Sequence, residues 1–244
     1  MIIGGTAGIG LGIAEALLSH ENLNVIVIGR RELAKKYDNF KRQKRLTHIQ
    51  TDLVDEKSAN LIKSKLANIR LDYIIFSVAT EEPLKNFSEV SENTYDYAFL
   101  LNVKSLFFLT QMLIPNLNLG ARILFLTSRL SALPEVGSLV YCMTKSALEV
   151  FSAGLNKELS GKILSSSIIP GVVDTEMQKR LREADCRIFP NAHVYQKMQP
   201  KLLSVKVVSE KIVSYLRNSS DEVFCQQRVN LFEAAFNLNL ENYN

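Results

Sequence analysis

Gly4-Gly5-Thr6-Ala7-Gly8-Ile9-Gly10, entered from Met1-Ile2-Ile3 and left through Leu11-Gly12-Ile13-Ala14-Glu15-Ala16-Leu17-Leu18, is the stretch on which the fold turns. Its first three residues read as the end of a strand, and residues 10–19 carry a helical pattern. Between them the glycines let the chain turn sharply and bring its backbone close to a bound group. The start of the helix offers unpaired N–H groups and the positive end of its dipole. Strand, glycine loop and helix in that order predict a nucleotide site; the glycines without that context would mark only a tight turn. Residues 2–18 are apolar enough to suggest a leader or a membrane span. They lack a basic start, carry Glu15 and hold five of the 11 glycines, so neither export nor insertion is expected.

Working outward, residues 24–28 (NVIVI), 46–50, 73–77 (YIIFS), 122–127 (RILFLT) and 163–169 are short apolar runs bounded by turns. Such runs suit strands buried on both faces. A basic helical stretch follows the second strand, and helical patterns over 56–69, 95–113 and 141–159 alternate with the rest. Strands alternating with helices predict crossover units and a single α/β domain over 1–244, a doubly wound parallel sheet flanked by helices. The rhythm breaks at 175–206, which carries Pro190, Pro200, mixed charge and scattered Met, Tyr and Phe. Lying after the carboxyl end of the sixth strand, where ligands sit in such sheets, it reads as a substrate lid rather than surface decoration.

The chain has 244 residues, 47% hydrophobic and 22% charged, which excludes a disordered chain, a collagen-like repeat and a disulfide scaffold. Cys142, Cys186 and Cys225 are odd in number and widely spaced, and His20, His48 and His193 stand apart from them and from one another. No metal site is expected, and the cysteines suit a reduced, cytoplasmic protein. The net charge of +4 is spread along the chain and calls for neither nucleic acid nor an anionic membrane as partner.

Chemistry enters at the end of the second strand. A dinucleotide fold that prefers NAD carries a carboxylate there for the ribose 2′-hydroxyl; here Gly29 is followed by Arg30 and Arg31. A small residue leaves room and a guanidinium can pair a 2′-phosphate, which reads as NADP. Residues 30–45 hold eight Lys or Arg, and from Lys35 onward they read as a solvated basic face. Further on, Tyr141 and Lys145 stand four apart, so that an ammonium lies beside a phenol on one helix face. Tyr37 and Lys41 repeat the spacing, but only Tyr141 has a serine, Ser128, 13 residues before it at the end of a strand. The earlier pair reads as background.

These residues together resemble the short-chain dehydrogenase/reductase family. Its TGxxxGxG, Ser, YxxxK and PGxxxT motifs correspond to residues 3–10, Ser128, Tyr141–Lys145 and 170–175, in the family's order and spacing, over residues 1–216. The resemblance implies a Rossmann-type sheet, with Gly4, Gly8, Ile9 and Gly10 along the cofactor phosphates and Asp52 and Leu53 beside the adenine. It implies Ala79 beside the nicotinamide ribose, Val173 and Thr175 on the carboxamide, and Asn102 as a fourth catalytic residue that holds a water leading to Lys145. Tyr141 would donate a proton to a carbonyl oxygen that receives hydride from NADPH, with Ser128 hydrogen-bonded to that oxygen. Lys145 and the oxidised nicotinamide would lower the phenol toward working pH. Lys145 would also bind the nicotinamide ribose. A helix-interior amide that satisfies neighbouring backbone is the plainer reading of Asn102, and the two roles are compatible.

Three features depart from the family. Only Met1–Ile3 precedes the glycine loop, Phe76-Ser77-Val78-Ala79 replaces NNAG, and Arg129 follows Ser128 where a smaller residue is common. A first strand this brief is either unusually short or continues from a start upstream. Asp174-Thr175-Glu176-Met177-Gln178 and the layout to 233 look like the sepiapterin reductase and benzil reductase-type members. Asn230 stands where the sepiapterin enzymes anchor a pterin through aspartate, and an amide lacks that charge. The expectation is an NADPH-dependent reductase of a small ketone, dicarbonyl or pterin-like carbonyl. The alternative is an NADP-binding regulator of the same fold without significant turnover. The apolar helices at 95–113 and 141–159 suit a homodimer or homotetramer.

Overall fold

The computed structural model describes residues 1–232. Seven parallel strands form one sheet: β1 (Ile2–Ile3), β2 (Val25–Gly29), β3 (Leu46–Gln50), β4 (Leu71–Phe76), β5 (Leu117–Leu126), β6 (Ile163–Ile169) and β7 (Val229–Asn230). Their order is β3-β2-β1-β4-β5-β6-β7, the doubly wound arrangement expected. The strand order reverses between β1 and β4, and ligands in such sheets bind at the carboxyl ends beside that reversal.

Alternation along the strands divides the core. Ile2 joins Ile13, Leu17, Val27, Ile75, Leu124 and Ile168 under α1 (Gly8–Leu18) on one face. Ile3 joins Ile28, Ile74, Phe76, Ile123 and Phe125 on the other. Two residues thus serve both layers. The β1 backbone is held from both sides: Gly4 N–H donates to Ile28 O at 2.9 Å and Ser77 N–H to Ile3 O at 2.8 Å. The same Ser77 N–H keeps the end of β4 tied to β1 without the family's paired asparagines.

Several elements differ from the sequence pattern. The basic stretch forms only a 3₁₀ turn at Lys35–Tyr37 and α2 (Asp38–Arg42), because few of its side chains reach the core. The third helix is shorter than 56–69, α3 (Ser58–Lys65). The long apolar helix starts earlier, as α4 (Glu92–Phe99) with Ser91 accepting from Thr94 N–H. It passes through a π turn at Leu100–Lys104 into α5 (Ser105–Leu113). By length and composition the run Glu92–Asn116 could cross a membrane; here Leu106, Leu109 and Leu113 fill the core. β5 begins five residues before the predicted strand, with an irregular register opposite β4 and Gly120 at φ +75° absorbing the bend. Asn118 and Gly120 signal a turn, and tertiary pairing overrides it.

α6 (Leu139–Glu158) follows β5. Beyond β6, residues 175–206 form α7 (Glu176–Glu183) and α8 (Ala192–Met198), with a small core of their own around Leu181, Phe189, Ala192 and Tyr195. α9 (Val205–Asn218) packs on α1, and α10 (Asp221–Phe224) leads to β7. Of the expected last element at 229–233, Glu233 lies outside the described residues, as does the end of the predicted 1–244 domain.

Candidate active site

The carboxyl ends of the central strands open into one cavity of about 630 Å³. Gly4, Gly8, Ile9, Arg30, Asp52, Leu53, Ala79, Ser128, Tyr141, Lys145, Val173 and Thr175 all line it. Residues spread over 170 positions of sequence thus converge on one space. Gly10 and Asn102 do not line it.

At one end the glycines answer to the protein's own backbone. Gly4 has φ +83°, and a Cβ there would lie 2.6 Å from Val78 N. Gly10, expected along the phosphates, sits behind the loop, where a Cβ would lie 2.2 Å from Gly4 O. The N-cap Ala7 offers α1 no side-chain cap, and no acidic residue stands in its first turn. Those N–H groups therefore have no side-chain acceptor, which fits an anion. At the end of β2 the room expected beside Gly29 is taken by Thr6, whose Oγ1 would lie 2.3 Å from a Cβ there. Arg30 reaches out, 64% exposed, with Nη1 at 3.5 Å from Asp52 Oδ2.

The reactive cluster forms where β5 meets α6. Ser128 Oγ accepts from Leu130 N–H at 3.2 Å, which leaves the hydroxyl hydrogen free to donate. Tyr141 and Lys145 stand one helical turn apart and are buried. Lys145 Nζ donates to Leu126 O at 2.9 Å and lies 5.6 Å from the Tyr141 ring centroid. Burial pushes the Tyr141 phenol well above its ordinary value; a hydrogen bond with Ser128 opposes this, and the charge of Glu81 adds to it. Burial also pulls the Lys145 ammonium down to about 8. Without the oxidised nicotinamide, on which the expected lowering also relies, loss of water around Tyr141 outweighs its neighbours.

Asn102 is fully buried in the π turn. Its Oδ1 accepts from Thr80 N–H at 2.8 Å, and its Nδ2 donates to Thr80 O at 2.8 Å and Thr144 Oγ1 at 3.2 Å. Thr144 Oγ1 in turn donates to Tyr141 O. The side chain therefore ties the loop after β4 to the helix that carries Tyr141. The Tyr37 and Lys41 pair lies elsewhere: Tyr37 Oη donates to Glu15 Oε1 at 2.6 Å, and Lys41 pairs with Asp38.

The far end of the cavity contains residues that sequence reasoning missed. Glu81 is 2% exposed and accepts from both Nε and Nη2 of Arg180 on α7. Arg129 donates to Glu135 Oε1 at 2.9 Å, and Tyr195 of α8 donates to Glu135 Oε2 at 3.1 Å. Arg129 alone had a signal, its size at a position where a small residue is common. The 175–206 segment also lines the cavity through Met177, Gln178, Leu181 and Met198. Gln178 Oε1 is buried without a hydrogen-bond partner. Asn230 lines the cavity too, with its Oδ1 engaged by Phe232 N–H at 3.1 Å. Among the described residues, no group of three or more His, Cys, Asp or Glu could hold a metal.

The model of a family described as short chain dehydrogenase matches residues 1–185. A benzil reductase ((S)-benzoin forming) of Saccharomyces cerevisiae is 27% identical over 197 residues, covering 75% of this chain and 74% of that protein. A benzil reductase ((S)-benzoin forming) of Bacillus cereus is 27% identical over 233 residues, covering 88% and 92%. In structure the chain is similar to a carbonyl reductase from Pseudomonas aeruginosa in complex with NADP, with a TM-score of 0.73 at 20% identity, covering 95% and 96%. That likeness speaks to the fold.

Proposed function

The chain belongs to the short chain dehydrogenase family, and from that premise we propose that it is an NADPH-dependent carbonyl reductase in which Tyr141 donates the proton. The observation that carries this reading is the meeting of Ser128, Tyr141 and Lys145 in the same cavity as the glycine loop. The names of the benzil reductase relatives point the same way.

The residues present fit a dinucleotide. Uncapped N–H groups at the start of α1 suit its phosphates, and Arg30 suits a 2′-phosphate. Asp52 and Leu53 would flank the adenine, Ala79 the ribose, and Val173 and Thr175 the nicotinamide. When bound, the cofactor supplies hydride to the carbonyl carbon. Ser128 donates a hydrogen bond to the carbonyl oxygen as negative charge develops there. Tyr141, held protonated by burial, gives that oxygen its proton. Lys145 faces the resulting phenolate as a cation.

α7 and α8 would form the lid over the substrate. Exposed Phe107 and Phe108 on α5 and Val150 on α6 suit packing against a second copy, as a homodimer or homotetramer. The free cysteines suit a cytoplasmic location. A pterin is disfavoured as substrate, since Asn230 has no charge and its oxygen is already engaged. The test is NADPH oxidation with benzil, an aliphatic diketone, an aromatic aldehyde and sepiapterin, for the wild type and Tyr141→Phe. Loss of a general acid lowers turnover by about 10²- to 10⁴-fold. Equal turnover in the two proteins overturns the assignment of Tyr141. Tight NADPH binding with no turnover in either one favours the regulator.

A further inference from the structure

The turn that carries Ser128, completed by Arg129–Ser131, is fastened by groups that the proposed chemistry does not use. Ser131 N–H donates to Ser128 O at 3.1 Å, and Ser131 Oγ lies 2.7 Å from the same oxygen. That hydroxyl also reaches Glu149 Oε1 at 2.5 Å, while Ser131 O accepts from Ser146 Oγ at 2.6 Å. Ser146 and Glu149 both stand on α6, which carries Tyr141 and Lys145. The helix that presents the phenol thus also grips the turn that presents the Ser128 hydroxyl.

Of the two grips, Glu149 is the firmer. Ser146 Oγ also donates to Cys142 O, one helical turn back, at 2.9 Å, so its hydrogen is divided. Glu149 has each oxygen assigned: Oε1 to Ser131, and Oε2 at 3.3 Å from Arg228 Nε. Its side chain is only 11% exposed, and a carboxylate that deep is costly unless its charge and lone pairs are met. A separation of 2.5 Å is that of a hydroxyl donating to an anion. Arg228 supplies the counter-charge from the approach to β7. There it holds φ +58°, uncommon outside glycine, and its N–H donates to Ser167 Oγ at 2.8 Å. A residue that only filled space between α6 and the turn could be apolar at no such cost.

We propose that Glu149, braced by Arg228, is a positioning residue that fixes Ser128 in place beside Tyr141. This rests on the reductase reading and adds to it. The line runs from the approach to β7 through Arg228, Glu149 and Ser131 to the backbone of Ser128. Ser128 and Tyr141 must meet the same carbonyl oxygen, so a shift of the turn along α6 separates two donors that act together. Ser131, Glu149 and Arg228 do not line the cavity; they act through Ser128 and not on the substrate.

The test measures kcat with benzil and the Kd for NADPH, read from nucleotide fluorescence, in the wild type and four variants. Ser131→Ala and Glu149→Leu should each lower kcat by about 10- to 100-fold, the cost of a misplaced reacting group. Their Kd for NADPH should stay within about twofold of wild type. The double variant should fall no further than the more damaged single one, since both break one line. Glutamine at 149 can accept from Arg228 and donate to Ser131, so Glu149→Gln should return kcat to within about threefold. Losses under about twofold in both single variants, losses that multiply in the double variant, or a matching loss of NADPH affinity overturn the proposal. Ser131→Ala removes only a hydroxyl, so it decides even if Glu149→Leu fails to fold. A second readout needs no turnover: the NMR signal of Tyr141 in protein whose tyrosines carry 13C at Cζ, identified by its absence in Tyr141→Phe. Ser128→Ala should move that signal by removing the hydrogen bond to the phenol. Ser131→Ala and Glu149→Leu should move it the same way, and Glu149→Gln should leave it in place. If the wild type reduces no carbonyl compound, the reductase reading fails separately. The signal then decides on Glu149, and one that stays unmoved in both single variants overturns the proposal.

Discussion

The two ends of the cavity are built from different materials. The glycine-loop end is nearly all backbone: Gly4, Gly8 and the start of α1, held by contacts within the first 30 residues and β4. The lid end is built from side-chain pairs that span the chain, with Glu81 and Arg180 separated by 99 residues and Glu135 and Tyr195 by 60. Backbone walls leave no freedom to substitute, whereas paired side chains can be exchanged together. The first end is suited to a ligand that never changes, and the second to the part of the site that must differ between enzymes of one fold.

The sharpest way to break this contrast is to place a methyl group at the loop end and another at a control site away from the cavity. At Gly4, alanine would need φ near +83° and would bring its Cβ to 2.6 Å from Val78 N, against the Ser77–Val78 backbone. Gly4→Ala should therefore cost about 3 kcal/mol of stability in urea denaturation, the sum of overpacking and a left-handed backbone. Gly154, where a Cβ meets nothing within 4 Å, serves as the control and should tolerate alanine with no loss. A Gly4→Ala protein as stable as wild type would mean that the loop end adapts as freely as the lid.

The same contrast explains what could be read from the sequence. Loop, strand and helix are neighbours in the chain, so the order of Gly4, Gly8 and the apolar run announces them. Ser128, Tyr141 and Lys145 lie within 18 residues of one another and carry a spacing. Glu81 and Arg180 have no spacing to carry, since only the folded sheet brings the loop after β4 to α7. Arg129 could be noticed as unusual, yet its partner Glu135 could be assigned only once the turn Arg129–Ser131 was seen. Local reading also erred where packing overrode it. Gly29 seemed to open space that Thr6 fills, and the turn signal at Asn118 and Gly120 gave way to pairing in β5.

A smaller effect tests whether the reactive cluster behaves as the buried middle ground between these ends. Burial lowers Lys145 to about 8 and raises Tyr141. Tyr141 therefore keeps its proton as pH rises, while Lys145 loses its charge above about pH 8. The phenolate left by proton transfer needs that charge, so reductive kcat/KM should be level below pH 8 and fall about tenfold per unit above it. Lys145→Met should give a low profile without this break. A wild-type profile that keeps rising to pH 10 would show that the ammonium is not required.

The smallest expected effect lies at Arg30, where the loop end uses a side-chain pair as the lid end does. It is 64% exposed and paired with Asp52 at 3.5 Å, a geometry that contributes little to stability. Removing it should leave denaturation unchanged. Arg30→Ala takes a charged donor from a 2′-phosphate and leaves the Asp52 carboxylate facing that phosphate without its counterion. A 2′-hydroxyl, by contrast, could donate to the freed carboxylate. KM for NADPH should rise about tenfold, while KM for NADH stays level or falls. An equal change for both cofactors would remove Arg30 from the recognition of phosphate. Cofactor choice would then rest on the backbone of the loop, and the distinction drawn between the two ends would become absolute.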